Sequence, residues 1–192
     1  MIWYPPFLTR VHDLSPGEIG TTLALYSSLP AGLGIFFGGI ATDRLARRDI
    51  RWLQGYAGVT ILLFVPFALG FLFLPSRGAA FACLLVSAFL MGTSTPGIHV
   101  TTQTLAPPRM RALASAINLL MLSLVGAGLG PFAVGWMNDW LTPSLGDEAV
   151  RYTLSIVAIT AIWSGLHNLL SARHLATDLA KETVTDLPDD QP

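Results

Sequence analysis

Long apolar runs separated by short polar gaps dominate the chain. The runs cover roughly residues 18-41, 52-74, 79-101, 112-137 and 153-172. Each is close to the ~20 residues that carry an α-helix across the hydrocarbon core of a bilayer. None shows the alternation of apolar and polar positions that a membrane β-barrel strand needs. The pattern predicts an all-α membrane protein with five full spans. Ser15-Pro16-Gly17-Glu18 reads as the start of the first one, with an N-cap serine, proline at the first helical position and glutamate at the third. Pro30, Pro66, Pro96 and Pro131 fall within predicted helices and are expected to break or bend them locally. The flanks are residues 1-17 and a polar, acidic tail at 173-192, expected to be disordered beyond about Ala176.

Composition narrows the class. The chain is 52% hydrophobic and 12% charged, with a mean hydropathy of +0.57. A soluble domain carries about 25% charged residues. Its 18 glycines and 13 prolines suit membrane helices, where neighbouring helices re-satisfy freed backbone groups. The single cysteine, Cys83, lies in an apolar run and forms no internal disulfide. Without a Cys/His cluster no metal or other cofactor is expected. Nucleic acid is excluded as a partner by the lack of a basic, aromatic-interleaved patch. The spans hold no nucleophile-base pair and no paired carboxylates, so the chain is not expected to be an enzyme. MIWYPPFLTRVHDLSPG has neither the basic start nor the sustained apolar core of a signal peptide.

The placement of charge sets a direction. Arg44, Arg47, Arg48, Arg51, Arg109, Arg111, Arg173 and Lys181 fall on one side of the predicted spans, against Arg10, Arg77 and Arg151 on the other. The positive-inside rule makes the richer side cytoplasmic, with the N-terminus outside and the C-terminus inside.

Topology does not account for the order of residues in GGIATDRLARR, residues 38 to 48. The run resembles the signature loop of the major facilitator superfamily, with Gly39, Asp43, Arg44, Arg47 and Arg48 in its positions. Two readings fit: a solvated topology anchor, or a latch in which Asp43 meets the positive end of a neighbouring helix and the arginines bridge carboxylates. A second region, TTQTLAPPRMRALASAINLLMLSLVGAGLGPFAVGWMNDWL, resembles the tenth-to-eleventh helix region of spinster-like members. Its matches are Gln103, Leu105, Pro107, Arg109, Met110, Arg111, Ala112, Ala114, and then Gly126, Gly128, Leu129, Gly130, Pro131, Gly135 and Asp139. The resemblance covers about residues 1-172.

The resemblance implies a helical bundle corresponding to the C-terminal six-helix half of a major facilitator, with the first helix mostly missing. Residues 1-17 would be the end of helix seven and an outer loop. The five spans would be helices eight to twelve. It further implies secondary active transport of a small organic or lipid-like solute by alternating access, in the bacterial inner membrane. The expected partners are the lipid bilayer, the substrate, and a missing N-terminal half or a second copy. The alternative is a non-transporting truncated product, or a half-subunit needing a partner chain.

No Asp, Glu, Lys or Arg lies in the middle of a predicted span, so the polar candidates are neutral ones. His99 and Gln103 stand one turn apart near the cytoplasmic end of their helix. With Asn118 they either line a cavity or hydrogen-bond between helices. His167 and Asn168, in the last span, read as structural. Gly34-x-x-x-Gly38 and Gly126-x-x-x-Gly130 put small residues on one helix face and predict close helix packing, with Pro131 beside the second pair. Trp3, Trp52, Trp136 and Trp140 sit near span ends, where aromatic belts belong.

Overall fold

The computed structural model describes residues 2–185 and, of these, the side chains through residue 180. Every regular element among them is helical. Helix α1 (Tyr4–His12) precedes a rod made of α2 (Pro16–Leu23), a π-helical segment (Ala24–Ser28) and α3 (Leu29–Ala46). Then come α4 (Trp52–Phe73) and α5 (Arg77–Thr104). A second composite rod joins α6 (Arg111–Met121), a π-helical segment (Leu122–Leu129) and α7 (Gly130–Leu145), and α8 (Ala149–Thr185) closes the described chain.

Four stretches are long and apolar enough to cross a bilayer: Pro16–Ala46, Trp52–Phe73, Arg77–Thr104 and Pro108–Ala180. The last has 73 residues and as one straight helix would measure about 110 Å, against about 30 Å of hydrocarbon. It is broken at Gly146, whose φ of 56° is open to glycine without a Cβ penalty. Gly130, Val134 and Met137 share one cavity with Leu154, Val157 and Thr160. These residues lie at similar distances on either side of Gly146, so α7 and α8 run side by side in opposite directions.

Local chemistry explains the boundaries. Ser15 caps α2 with the full reciprocal box: its backbone N–H donates to Glu18 Oε2 at 2.9 Å, and the Glu18 N–H donates to Ser15 Oγ at 3.5 Å. Both π segments end just before a proline, Pro30 and Pro131. A proline leaves the carbonyl four residues back without its N–H, and local widening accommodates that loss. Pro66 and Pro96 do not break their helices, since α4 and α5 run through them. The tail also differs: α8 stays helical through Thr185, well past the expected span end at 172. An established helix propagates readily, and SARHLATDLAKE is rich in good helix formers. Residues 186–192 lie outside the described residues.

Packing follows small residues. α5 lies between α3 and α4, and α8 lies against both α4 and α7. A Cβ added at Gly34 would meet the Phe89 carbonyl and approach Gly92 Cα to 3.2 Å; one at Gly38 would reach the Thr93 carbonyl carbon at 2.8 Å. From the other side, a Cβ at Gly92 would meet the backbone of Ala31, and one at Gly97 the carbonyl of Leu53 in α4. Gly58 in α4 and Gly165 in α8 face each other, with Cβ-to-carbonyl distances of 2.9 and 3.1 Å. These contacts let backbones approach where side chains would hold them apart.

One end of the bundle is closed by α1. Phe7 and Leu8 are fully buried and join Phe71, Leu84 and Val150 in the core cluster. Phe7 and Tyr4 stand edge-on to Phe71 at 5.2 and 5.3 Å. Asp13, in the left-handed region at φ 52°, turns the chain into α2, and Arg77 Nη2 donates to the His12 carbonyl at 2.7 Å.

Two outcomes follow from this packing. Gly38→Leu should destabilise the chain by about 3 kcal/mol, because its clash is with backbone, whereas Gly39→Leu, pointing into open space, should change stability by less than about 1 kcal/mol. Reversible unfolding in mixed micelles measures both, and equal effects would refute the α3–α5 contact. The second outcome concerns His12, which is buried between Phe7 and Phe81. Burial, then the guanidiniums of Arg77 and Arg151, hold its imidazole below the usual range, with Asp13 opposing. The unfolded chain therefore takes up the proton first. The His12 contribution to stability is intact above about pH 6.5 and is lost as pH falls toward the folded value. Between about pH 7 and pH 5 the melting temperature of the wild type should fall more than that of His12→Gln; parallel curves would contradict this.

Candidate functional site at the arginine-rich end of α3

The end of α3 opposite α1 carries the densest charge. Thr42 is 1% exposed and lies beside Gly97, whose added Cβ would stand 3.5 Å from Thr42 Cγ2. With Thr42 turned inward, the next positions face out: Asp43, Arg44, Arg47 and Arg48 are all exposed. Asp43 and Arg44 belong to the last turn of α3 itself, which extends past the expected end at 41, and Arg47 is its C-cap. Two of the last carbonyls are satisfied within the turn, by Arg47 N–H to Asp43 O at 3.2 Å and by Arg48 and Asp49 N–H to Leu45 O at 3.0 and 3.1 Å. Asp49 Oδ1 accepts from the Arg51 N–H at 3.0 Å.

The side chains have no such partners. The ion pair among the described residues joins Arg151 to Glu148 at 3.0 Å, at the other end of the molecule. Asp43 makes no side-chain hydrogen bond or ion pair with any described residue, and neither do Arg44, Arg47 and Arg48. The three arginines, with Ala41 and Leu45, line an open pocket of about 540 Å³. Gly39 has open space where a Cβ would stand.

The other expected residues are not gathered with this cluster. His99 is half-buried and Gln103 exposed, on α5, and Asn118 is half-buried on α6. None of their side chains has a hydrogen-bond partner among the described residues, and none lines either of the two large apolar cavities. One cavity, of about 340 Å³, lies among α1, α4, α5 and α8 and is lined by Tyr4, Phe64, Met91 and Ser164. The other, of about 440 Å³, is lined by Trp3, Gly126, Gly130, Pro131 and Thr160. Gly126 and Gly130 thus border a cavity, and an added Cβ at either would meet only its own helix. The expected helix-packing role of this pair is not met within the chain. Pro131 is tied down instead through its carbonyl, which accepts from Trp3 Nε1 at 3.2 Å. Trp3 also covers Gly135, 3.2 Å from an added Cβ. Gly58, Gly92, Gly97 and Gly165 were not singled out by spacing. Their contacts run between helices far apart in sequence, where a lone glycine carries no readable signal.

The sequence matches the profile of the Major Facilitator Superfamily over residues 1–184. The chain belongs to this superfamily. It is 33% identical over 181 residues to an MFS-type efflux pump of Mycolicibacterium smegmatis (strain ATCC 700084 / mc(2)155), covering 93% of this chain and 42% of that protein. Its fold matches the crystal structure of a bacterial homologue of the human lysosomal transporter Spinster, in an inward-facing and unoccupied conformation. That match has a TM-score of 0.76 at 21% identity, over 90% of this chain and 43% of the other. The chain therefore spans less than half the length of these relatives. As a facilitator-family chain with several apolar membrane-length helices it is an integral membrane protein.

Because Asp43 pairs with no described residue, Asp43→Asn should leave the unfolding free energy within about 0.5 kcal/mol of wild type. Chemical denaturation in micelles checks this, and a loss of more than about 1.5 kcal/mol would place a partner for the carboxylate within the chain.

Proposed function

We propose that the chain is the C-terminal bundle of a spinster-like secondary transporter that moves a small organic or lipid-like solute by alternating access. In this reading α1 is the outer end of helix seven, and the spans that follow are helices eight to twelve. The first bundle comes from an N-terminal half or from a second copy. The observation that carries the reading is the state of α6 and the π segment after it. From Arg111 to Leu129 no residue is buried, and Leu113, Ile117, Leu120 and Leu124 are each more than half exposed. Part of such a surface suits lipid. A helix with no fully buried residue, on which the half-buried Asn118 has no side-chain partner among the described residues, suits a second bundle, and alternating access requires two bundles about a site at their interface.

Gly39, Asp43, Arg44, Arg47 and Arg48 act in this reading as the conformational latch toward that second bundle. His99, Gln103 and Asn118 face the space between the bundles and contact solute there. The efflux activity in the name of the mycolicibacterial relative supports outward movement. The orientation proposed is that of a bacterial inner-membrane protein with the arginine-rich end of α3 and the C-terminus in the cytoplasm, on the positive-inside rule. No cofactor takes part.

The test uses liposomes with an imposed proton gradient and a panel of lysolipids, sugars and organic anions. The chain alone should show no saturable uptake. A chimera that places it behind the N-terminal half of the mycolicibacterial relative should show gradient-dependent transport that Asp43→Ala slows about tenfold or more. Uptake by the chain alone, abolished by Asp43→Ala, would make a pair of copies the working unit. A well-folded chimera inactive on the whole panel would count against transport.

A further inference from the structure

We propose that His12 is a proton-operated clasp, whose protonation frees the last turn of α1 from α5 and opens the closed end of the bundle while the other helices stay packed. This goes beyond the transport reading and needs neither a second bundle nor a solute. His12 is 8% exposed. Its ring stands edge-on to Phe7 at 5.4 Å and tilted to Phe81 of α5 at 6.1 Å. Phe81 in turn meets Tyr26 of the first π segment at 5.5 Å, so the imidazole closes an aromatic seam between α1 and α5. It makes no side-chain hydrogen bond with a described residue. A neutral ring fills such a place as an aromatic, whereas an imidazolium brings a charge and two N–H donors that need partners.

The surrounding charges do not supply those partners. Burial, and then Arg77 on α5 and Arg151 on α8, disfavour the imidazolium, and Asp13 opposes them. Glu148 is committed to Arg151 at 3.0 Å. Glu18 of α2 is committed to Ser15, accepting from its hydroxyl at 2.7 Å and its N–H at 2.9 Å. Arg10 is exposed, and two residues apart on a helix it does not face His12. The charged ring therefore gains most by moving into water. The hinge for that movement is in place, because Asp13 holds φ 52°, a left-handed conformation uncommon for a residue with a Cβ. The movement gives up the His12 carbonyl bond to Arg77 at 2.7 Å and the two ring contacts, all within one turn. Phe7 and Leu8 are fully buried with Phe71 and Val150, and they anchor the rest of α1. The proton comes from the water at that end, and its departure closes the clasp again.

Hydrogen exchange of the full chain in nanodiscs, read by mass spectrometry and divided by the intrinsic amide rate at each pH, tests this. In wild type, peptides covering residues 7 to 14 should exchange about tenfold faster at pH 5 than at pH 7.5, while residues 52 to 73 of α4 hold their protection. His12→Gln should remove the pH dependence, and His12→Lys, charged throughout, should exchange fast at both values. Equal wild-type exchange at the two pH values would overturn the proposal, and this arm needs no variant. A pH-dependent rise retained in His12→Gln would assign the proton to another group and overturn it. So would loss of protection in α4 together with α1, which would mean unfolding of the bundle rather than release of a clasp.

Discussion

Direct backbone contact between helices, through glycine, is what the rest of the molecule depends on. Within a bilayer the apolar side chains gain little by meeting one another, because lipid tails are as apolar as leucine. Close packing supplies the attraction instead, and it requires residues that let backbones touch. Gly34, Gly38 and Gly92 do this between α3 and α5, Gly97 between α5 and α4, and Gly58 with Gly165 between α4 and α8. These seams set the order α3, α5, α4, α8 through the bundle. They also place the arginine-rich end of α3, since Thr42 enters the groove beside Gly97 and thereby turns Asp43, Arg44, Arg47 and Arg48 outward.

The two ends of the bundle are built on different physics. At one end α1 drives Phe7 and Leu8 into a cluster with Phe71, Leu84 and Val150, and a helix-terminal carbonyl is held by Arg77. That end is closed, and Arg151 pairs there with Glu148 at 3.0 Å, while the buried Thr153 Oγ1 and Asn138 Oδ1 have no hydrogen-bond partner among the described residues. At the other, the charged groups around the end of α3 have no side-chain partners among the described residues. Four arginines in so short a stretch are explained by what lies outside the chain: the membrane surface, and in the proposed reading a second bundle.

The composite rod of α6, its π segment and α7 joins these two themes. Its lower half leans on Trp3 through Pro131 and Gly135, while α6 and the π segment bury nothing. A glycine-rich segment with widened turns and no buried residue has little to hold it in one place. In the proposed reading, that open surface is where the second bundle packs.

Apolar periodicity and composition alone determined that the chain is an all-α membrane protein, because a helix must be about 20 apolar residues long to satisfy its own backbone in lipid. The Ser15–Glu18 cap was equally legible, since both partners lie within one turn. So was the resemblance of the run from Gly39 to Arg48 to a loop of the family, because its residues are contiguous. The Gly34 and Gly38 contact was readable for the same reason, as one helix carries both small residues. The same spacing at Gly126 and Gly130 promised a contact that the described residues do not make, because a spacing says which face is thin and not what lies against it. Only the tertiary structure paired Gly58 with Gly165, Gly92 with Ala31 and Thr42 with Gly97. It alone placed His99, Gln103 and Asn118 away from the two large apolar cavities and left the arginines without a side-chain partner among the described residues. Those outcomes depend on which helices become neighbours, and that is set by many weak contacts between residues distant in sequence.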